Sequence, residues 1–265
     1  MWERPNGWRS STRPYKPRAM PNLIPTLARA LLLATTTVLV PLQAATATAT
    51  NSTTAHRTVP DTIAQRVQAC TVCHGKEGRS TNAGYFPRIA GKPAGYIYNQ
   101  LRNFRDGRRS NAAMTHLLAH LSDAYLREMA DYFASLDLPY PPPQTTNAPR
   151  ALLQQAQTLV LKGDATRKLP ACTQCHGSAM TGVLPAFPGL LGLPRDYLVG
   201  QLGAWQNDKR HAGAPDCMAQ IAKRLTADEI SAIATWLSAQ PLPAQTHAVA
   251  ASTAPRSMDC GSALQ

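Results

Sequence analysis

The sequence predicts an all-α fold of two tandem domains, each built from a few helices and loops. The motif Cys-x-x-Cys-His-Gly occurs at residues 70–75 and again at residues 172–177. The residues after each copy repeat at a nearly constant offset, and no segment shows the period-two alternation of a useful strand. A duplicated helical domain explains these three observations together.

Each motif predicts a covalently bound haem c, because Cys-x-x-Cys-His is the attachment pattern of c-type haem. Two intervening residues let one helical turn present both sulfurs to one porphyrin edge, and the histidine then lies beneath the iron. A Cys-x-x-Cys pair alone also fits a redox disulfide or half of a zinc site. The histidine and the second copy favour two haems, one in each domain. Their predicted attachment residues and proximal ligands are Cys70, Cys73, His74, Cys172, Cys175 and His176.

The duplication extends well beyond the motifs. At an offset of 101 the following residues match: Phe86-Pro87 with Phe187-Pro188, Gly91 with Gly192, Pro93 with Pro194, Tyr96 with Tyr197, and Gln100-Leu101 with Gln201-Leu202. Because the agreement spans most of the segment that follows each motif, the chain contains an internal repeat. The two copies are called the first repeat and the second repeat below.

The N-terminal 44 residues have the composition of a secretory signal peptide. Several arginines precede an apolar run, Ala30 to Val40, that is too short to span a bilayer comfortably, although an uncleaved anchor is the alternative. A proline run at 139–143 cannot continue a helix and favours an extended connector. The predicted organisation is a signal peptide at 1–44, a flexible leader at 45–59, the first domain at 60–139, a Pro-rich linker at 140–150, the second domain at 151–243 and a tail at 244–265.

Helices are expected at corresponding places in both repeats. An apolar-periodic segment precedes each motif, around Ile63 and Val67 in the first repeat and from Leu152 to Val160 in the second, and is expected to end at the cysteines. The other predicted helices are Tyr96 to Phe104, Tyr197 to Trp205, Ser122 to Leu136 and one that starts at the capping box Thr226-Ala-Asp-Glu229.

The second axial ligand of each iron decides between an electron carrier and a catalyst. Met114 follows His74 by 40 residues and Met218 follows His176 by 42, each in a predicted loop before the last helix of its repeat. A methionine thioether favours ferrous iron, raises the potential and leaves no position for a substrate. The sequence therefore predicts Met114 and Met218 as the sixth ligands.

Other side chains are weaker candidates for the distal position. His116, His120 and His211 are rival nitrogen ligands, but they do not repeat at matching positions. Met129 belongs to an apolar helical stripe, and Met180 follows His176 too closely to cross easily to the opposite haem face. On the proximal side, the carbonyls of Pro87 and Pro188 are candidates to accept the histidine Nδ1 proton, with a loop corner as the alternative role.

Without residues 1–44 the chain has 21 Lys and Arg against 14 Asp and Glu, a net charge of +7. This moderate charge fits docking to acidic protein surfaces, and no nucleic-acid-binding motif is present. The basic cluster consists of Arg102, Arg105, Arg108 and Arg109. It is either a docking surface or a solvated helix face whose arginines pair with haem propionates.

From the first motif to the last helix, the sequence resembles the cytochrome c4 family, dihaem class I cytochromes c of the bacterial periplasm. The shared features are Cys-x-x-Cys-His-Gly, then Phe-Pro, then Gly-x-Pro-x-x-Tyr-x-x-x-Gln-Leu, a basic stretch, a methionine and a closing helix, each present twice within about residues 60–240. The resemblance implies two class I cytochrome c domains whose propionate edges face each other. It also implies Cys70 and Cys73 as thioether donors with His74 and Met114 axial, and Cys172 and Cys175 with His176 and Met218.

The resemblance implies a periplasmic carrier of single electrons, with no catalytic residues. Its expected partners are a membrane terminal oxidase, a quinol-oxidising complex or a periplasmic dehydrogenase, and peripheral membrane association is a further expectation. A cytochrome subunit of a dehydrogenase complex is one alternative. The other is a dihaem enzyme, a peroxidase or sulfur-compound dehydrogenase, which would need a displaceable axial ligand.

Two additional cysteines depart from the family pattern. Cys217 directly precedes Met218, and Cys260 lies in the tail. In an oxidising compartment they are expected to pair and to strap the tail across the distal side of the second haem. The alternatives are Cys217 as a thiolate ligand of the iron, or free or intermolecular thiols.

Overall fold

The computed structural model describes residues 60–80, 85–251 and 257–263. The predicted signal peptide 1–44 and leader 45–59 lie outside these residues. The described chain is mostly helical, as predicted, and its only regular strands form one two-stranded sheet. Within the three described ranges no helix combines the length and the apolar composition needed to cross a membrane.

The first repeat folds around the packing of its third and fifth helices. Its helices are α1 (Ile63–Arg66), α2 (Gln68–His74), α3 (Ala94–Arg105), α4 (Ala112–Leu118) and α5 (Asp123–Ser135). The Ser122 hydroxyl starts α5 by accepting a hydrogen bond from the backbone N–H of Tyr125. Leu126, Met129 and Phe133 then recur at helical spacing and are buried in the core of this repeat, as predicted.

The second repeat has the same order of helices and a separate core. Its elements are α6 (Arg150–Lys162), α7 (Thr173–His176), β1 (Gly182–Val183), β2 (Phe187–Pro188), α8 (Arg195–Gln206), α9 (Cys217–Ala222) and α10 (Ala227–Ser238). The predicted capping box is confirmed, because Thr226 and Glu229 cap each other's backbone N–H. Helix α10 buries Ile230, Ile233 and Leu237 against α6 and α8.

Two local predictions were wrong. The helix before the second motif ends at Lys162, because Gly163 follows and Asp164 caps a separate 3₁₀ turn by accepting from the N–H of Thr166. The predicted ligands Met114 and Met218 lie on short helices, α4 and α9, rather than in loops. Polar residues before each methionine start these helices by accepting backbone hydrogen bonds, Asn111 for α4 and Asp216 for α9.

The linker and the tail both pack on the folded chain. Gln144 donates its backbone N–H to Ser238 over 2.9 Å, and its side-chain oxygen accepts from the N–H of Arg195 over 2.8 Å. In the tail, Val249 exchanges backbone hydrogen bonds with Leu184 and Gly182. All described residues belong to one compact unit. The division into domains at 140–150 stays a prediction, to which the separate cores lend support.

Candidate haem-binding site

One cavity of about 760 Å³ extends through both repeats and contains every predicted site residue. Its lining includes Cys70, Cys73, His74, Met114, Cys172, Cys175, His176 and Met218. These residues are separated by up to 148 positions in sequence, yet the fold brings both sets to a common space. Apolar side chains of both cores complete the walls, as the large apolar face of a porphyrin requires.

Both motif histidines are oriented by a backbone carbonyl. Nδ1 of His74 lies 2.9 Å from the carbonyl oxygen of Pro87, and Nδ1 of His176 lies 2.7 Å from that of Pro188. A carbonyl oxygen only accepts, so Nδ1 donates its proton and Nε2 keeps a lone pair for a metal. The proposed role of the two prolines is thereby confirmed.

Burial also lowers the pKa of both imidazole rings. Both rings are buried, and desolvation holds the pKa of His74 and of His176 below the ordinary value. The neutral ring, which is the form that binds a metal, is therefore favoured at neutral pH.

The glycine after each histidine has a local structural role. Gly75 and Gly177 end their helices with φ of 77° and 82°, a region that residues with a side chain rarely adopt. A Cβ atom on Gly75 would overlap the carbonyl oxygen of Ser80. Glycine therefore lets the chain turn sharply directly after each histidine.

The cysteines of both motifs line the cavity. Cys70, Cys73 and Cys172 form no disulfide bond in the structure. Burial raises the pKa of the Cys70 thiol and raises that of Cys172 to about 11. Each motif thus presents thiols along the cavity wall, where haem vinyl groups would bond to them.

On the distal side, Met114 and Met218 line the cavity. Their rivals His116, His120 and His211 are described and are not among the lining residues. His211 is exposed, and its Nε2 lies 3.1 Å from the carbonyl oxygen of Asp208. The geometry therefore supports the two methionines, whose role as ligands stays a prediction.

A disulfide joins Cys217 to Cys260, as expected from the sequence. Cys217 is therefore not a thiolate ligand. The tail residues Cys260, Ser262 and Ala263 line the cavity, and Cys260 packs with Cys175. Asn99 of the first repeat donates to the Ser262 carbonyl over 3.0 Å. The tail thus connects α9, the helix that carries Met218, to the attachment motif of the second repeat.

Replacement of both Cys217 and Cys260 by serine is expected to destabilise the protein. The disulfide closes a sequence separation of 43 residues, and loop-closure entropy predicts a loss of about 4 kcal/mol in the free energy of unfolding. Chemical denaturation of the wild type and the double variant measures this loss. An unchanged midpoint and slope would contradict the prediction.

Two arginines that the sequence does not single out as a pair meet between the repeats. Arg109 and Arg210 form an antiparallel backbone bridge and are only 9% and 3% exposed. The Gln100 side-chain oxygen accepts from Arg109 over 3.1 Å and from Arg210 over 2.9 Å, and Gln201 accepts from both in the same way. The two guanidinium groups are therefore held side by side by neutral amides.

This arrangement concentrates positive charge in the cavity wall. Burial, followed by the charge of Arg109, lowers the pKa of Arg210, yet a guanidinium stays protonated at neutral pH. Among the ion pairs of the described residues, none includes Arg109 or Arg210. Buried charges need compensation, so the site has the charge to receive anions such as haem propionates.

The predicted basic cluster does not present four unpaired arginines on one surface. Arg105 pairs with Asp123 over 2.7 Å, Arg108 pairs with Asp106 over 2.8 Å, and Arg109 lies inside. Sequence reasoning missed Arg210 as the partner of Arg109. Arg109 and Arg210 are separated by the same offset of 101 that relates the repeats. This offset marks them as corresponding residues and could have indicated that they act as a pair.

The chain is similar to known proteins over the segment that holds both motifs. No protein-family profile matches it. It is 38% identical over 175 residues to the thiosulfate dehydrogenase electron acceptor of Thiomonas intermedia, covering 66% of this chain and 79% of that protein. It is 33% identical over 174 residues to cytochrome c4 of Pseudomonas aeruginosa, covering 65% of this chain and 84% of that protein.

Solved structures agree with these relatives. The crystal structure of reduced cytochrome c4 from Pseudomonas stutzeri superposes with a TM-score of 0.58 at 29% identity, covering 67% of this chain and 96% of that one. The thiosulfate dehydrogenase TsdBA of Marichromatium purpuratum gives a TM-score of 0.60 at 30% identity over 68% of this chain. This chain spans only 39% of TsdBA.

Fold, relatives and site chemistry agree on one class of protein. The mostly helical fold matches that of class I cytochromes c. The chain carries two covalent haem c groups and transfers electrons between redox partners in the periplasm. It therefore belongs to the cytochrome c4 family.

Proposed function

We propose that this chain accepts electrons from a periplasmic dehydrogenase that oxidises thiosulfate and delivers them to a membrane terminal oxidase. Support for the donor comes from the 38% identity to thiosulfate dehydrogenase electron acceptors, against 30–33% for the relatives named cytochrome c4. The common cavity is the observation that supports electron transfer between two haem sites. With both sites in one cavity, an electron can enter at one repeat and leave at the other. A quinol-oxidising complex is the alternative donor.

Within the cavity, the proposed attachment residues are Cys70, Cys73, Cys172 and Cys175. The proposed axial ligands are His74 with Met114 and His176 with Met218. When bound, the haem iron supplies one-electron redox chemistry. The carbonyls of Pro87 and Pro188 hold the imidazole rings in one orientation, so little rearrangement of the protein accompanies a change of charge.

The buried arginine pair is proposed to bind haem propionates from both repeats. Gln100 and Gln201 fix the two guanidinium groups, and Arg109 and Arg210 stack within 4.4 Å and 3.7 Å of the ring centres of Phe104 and Trp205. Their position, shared by both repeats, would link the electrostatics of the two sites.

Replacement of Arg210 by glutamine is expected to lower the haem reduction potentials, because a nearby positive charge stabilises the reduced, less positive iron. The expected shift is on the order of 60 mV, which corresponds to about 1.4 kcal/mol for one electron. Potentiometric titration measures it. Lys223→Gln is the matched control, since Lys223 is a half-exposed lysine in a surface ion pair. Equal shifts in both variants would point to net charge rather than to the buried pair.

The proposed donor is tested by mixing oxidised protein with purified thiosulfate dehydrogenase and thiosulfate. The expected result is reduction of both haems, seen in the visible spectrum, and no reduction when either the dehydrogenase or thiosulfate is omitted. If dithionite reduces the protein but the dehydrogenase does not, the thiosulfate role is wrong. A quinol-oxidising complex is then the donor to test.

Carbon monoxide separates a carrier from a haem enzyme. With methionine bound at both irons, the visible spectrum of the reduced protein is expected to stay unchanged when carbon monoxide is added, because neither iron has an open position. A change in about half of the haem absorbance would reveal one displaceable ligand and would favour the enzyme alternative.

A further inference from the structure

The first repeat exposes apolar side chains around the edge of its cavity. Val72, between the motif cysteines, is 82% exposed, Tyr85 is 67% exposed, and Leu117 on α4 is 48% exposed. Tyr85 and Leu117 line the cavity, and the Tyr85 hydroxyl accepts a hydrogen bond from Asn111 at the start of α4. Tyr85 and Leu117 therefore border the cavity, and Val72 lies next in sequence to Cys73, which also lines it; we call these three side chains the first-repeat rim.

The matching positions of the second repeat have a different character. Val72 corresponds to Gln174, which is polar, and Tyr85 corresponds to Ala186, which is buried. Leu117 corresponds to Ile221, which packs against the hydrophobic core. The internal repeat thus provides a comparison for each position, and at these three positions only the first repeat exposes a large apolar side chain.

The tail also covers the second edge. Cys217 occupies the position that matches exposed Ala113 of the first repeat, and its disulfide holds Cys260 against the second site. Cys260 and Ala263 are buried together with Cys175 and Phe187. The same edge that is open in the first repeat is therefore closed by a covalently fastened segment in the second.

Charge near the first-repeat rim is positive. Lys76 follows the motif, and Lys209 lies beside the start of α4, where its carbonyl accepts from the N–H of Ser110. Both lysines are exposed, and neither is in an ion pair among the described residues. The nearby Glu77 is paired with Arg79 over 2.8 Å. An approaching protein surface is therefore favoured if it is acidic.

We propose that the first-repeat rim is the docking surface for a redox protein whose contact patch is apolar and bordered by carboxylates. This inference rests on the proposed function, because it assigns the repeat at which partners exchange electrons. Exposed apolar side chains around a redox site let the partner approach closely, and the lysines orient it. The first repeat is then the end of the two-site relay that faces this partner.

The test uses the full-length holoprotein and plastocyanin, an acidic blue-copper protein, as the probe. The variant Val72→Glu places one carboxylate in the rim, and Gln174→Glu, which places one carboxylate at the corresponding position of the second motif, is the matched control. Stopped-flow mixing of reduced cytochrome with excess oxidised plastocyanin gives the second-order rate constant. A neutral oxidant, benzoquinone, monitors the integrity of both haems.

The expected result is a fall of about tenfold or more for the rim variant, equivalent to about 1.4 kcal/mol, with a fall of less than about twofold for Gln174→Glu. The wild-type rate is expected to decrease as ionic strength rises. Equal falls in both variants, an unchanged rim variant, or a wild type that reacts with benzoquinone but not with plastocyanin would each overturn the docking surface. Reduction by thiosulfate dehydrogenase is measured separately, so failure of the donor assignment gives a different result.

Discussion

Replacement of Cys172 and Cys175 by serine is expected to remove one of the two haem c groups. A serine hydroxyl does not form the thioether that links a c-type haem to the chain, so only the first repeat would keep its covalent haem. Intact mass measurement counts covalent haems directly, and the haem absorbance per chain is expected to fall by about half. Retention of two covalent haems would contradict the assignment.

The structure offers two controls for this experiment. Cys70→Ser with Cys73→Ser is expected to remove the other haem and leave the second. Cys217→Ser with Cys260→Ser changes the same number of cysteines and is expected to keep both haems, because these two residues form the disulfide. The motif variants are also expected to lose stability, since the cavity walls would lose the apolar group that fills them.

Replacement of Met218 by histidine is expected to lower the reduction potential of the second haem strongly. An imidazole donates more electron density than a thioether and stabilises ferric iron, within the roughly 0.8 V range that axial ligands span. Potentiometric titration should then resolve a second, lower transition, while the transition of the first haem moves little.

Met129→Leu is the matched control for this prediction. Met129 also lines the cavity, but it belongs to the apolar face of α5 and is buried in the first core. Its replacement is expected to leave both potentials nearly unchanged. If Met129→Leu changes a potential as strongly as Met218→His does, the distal ligand assignment is wrong.

Much of the site was predictable because its signals are local. The histidine and both cysteines of each motif lie within five residues, and the carbonyls of Pro87 and Pro188 follow at matching distances. The start of α10 was equally readable, because a capping box depends on contacts between residues three apart. The end of α6 and the short helices α4 and α9 were not predicted, because Gly163 ends the first and single polar residues start the other two.

The surroundings of the four clustered arginines could not be predicted from their spacing in the sequence. Four basic residues close in sequence suggested one surface, but Asp106 and Asp123 neutralise two of them and Arg109 turns inward. The decisive contact is with Arg210 in the other repeat. No pattern within the first repeat encodes a contact with the second.

By itself, the sequence determined the two attachment motifs, the duplication and the class of helical fold, because these depend on spacing within short segments and on self-similarity. Only the tertiary structure decided that both sites share one cavity, that Arg109 meets Arg210, and that the tail closes one site and leaves the other open. These features depend on packing between segments far apart in the chain. These contacts are stabilised by burial and by hydrogen bonds across the repeats, which spacing along the sequence does not specify.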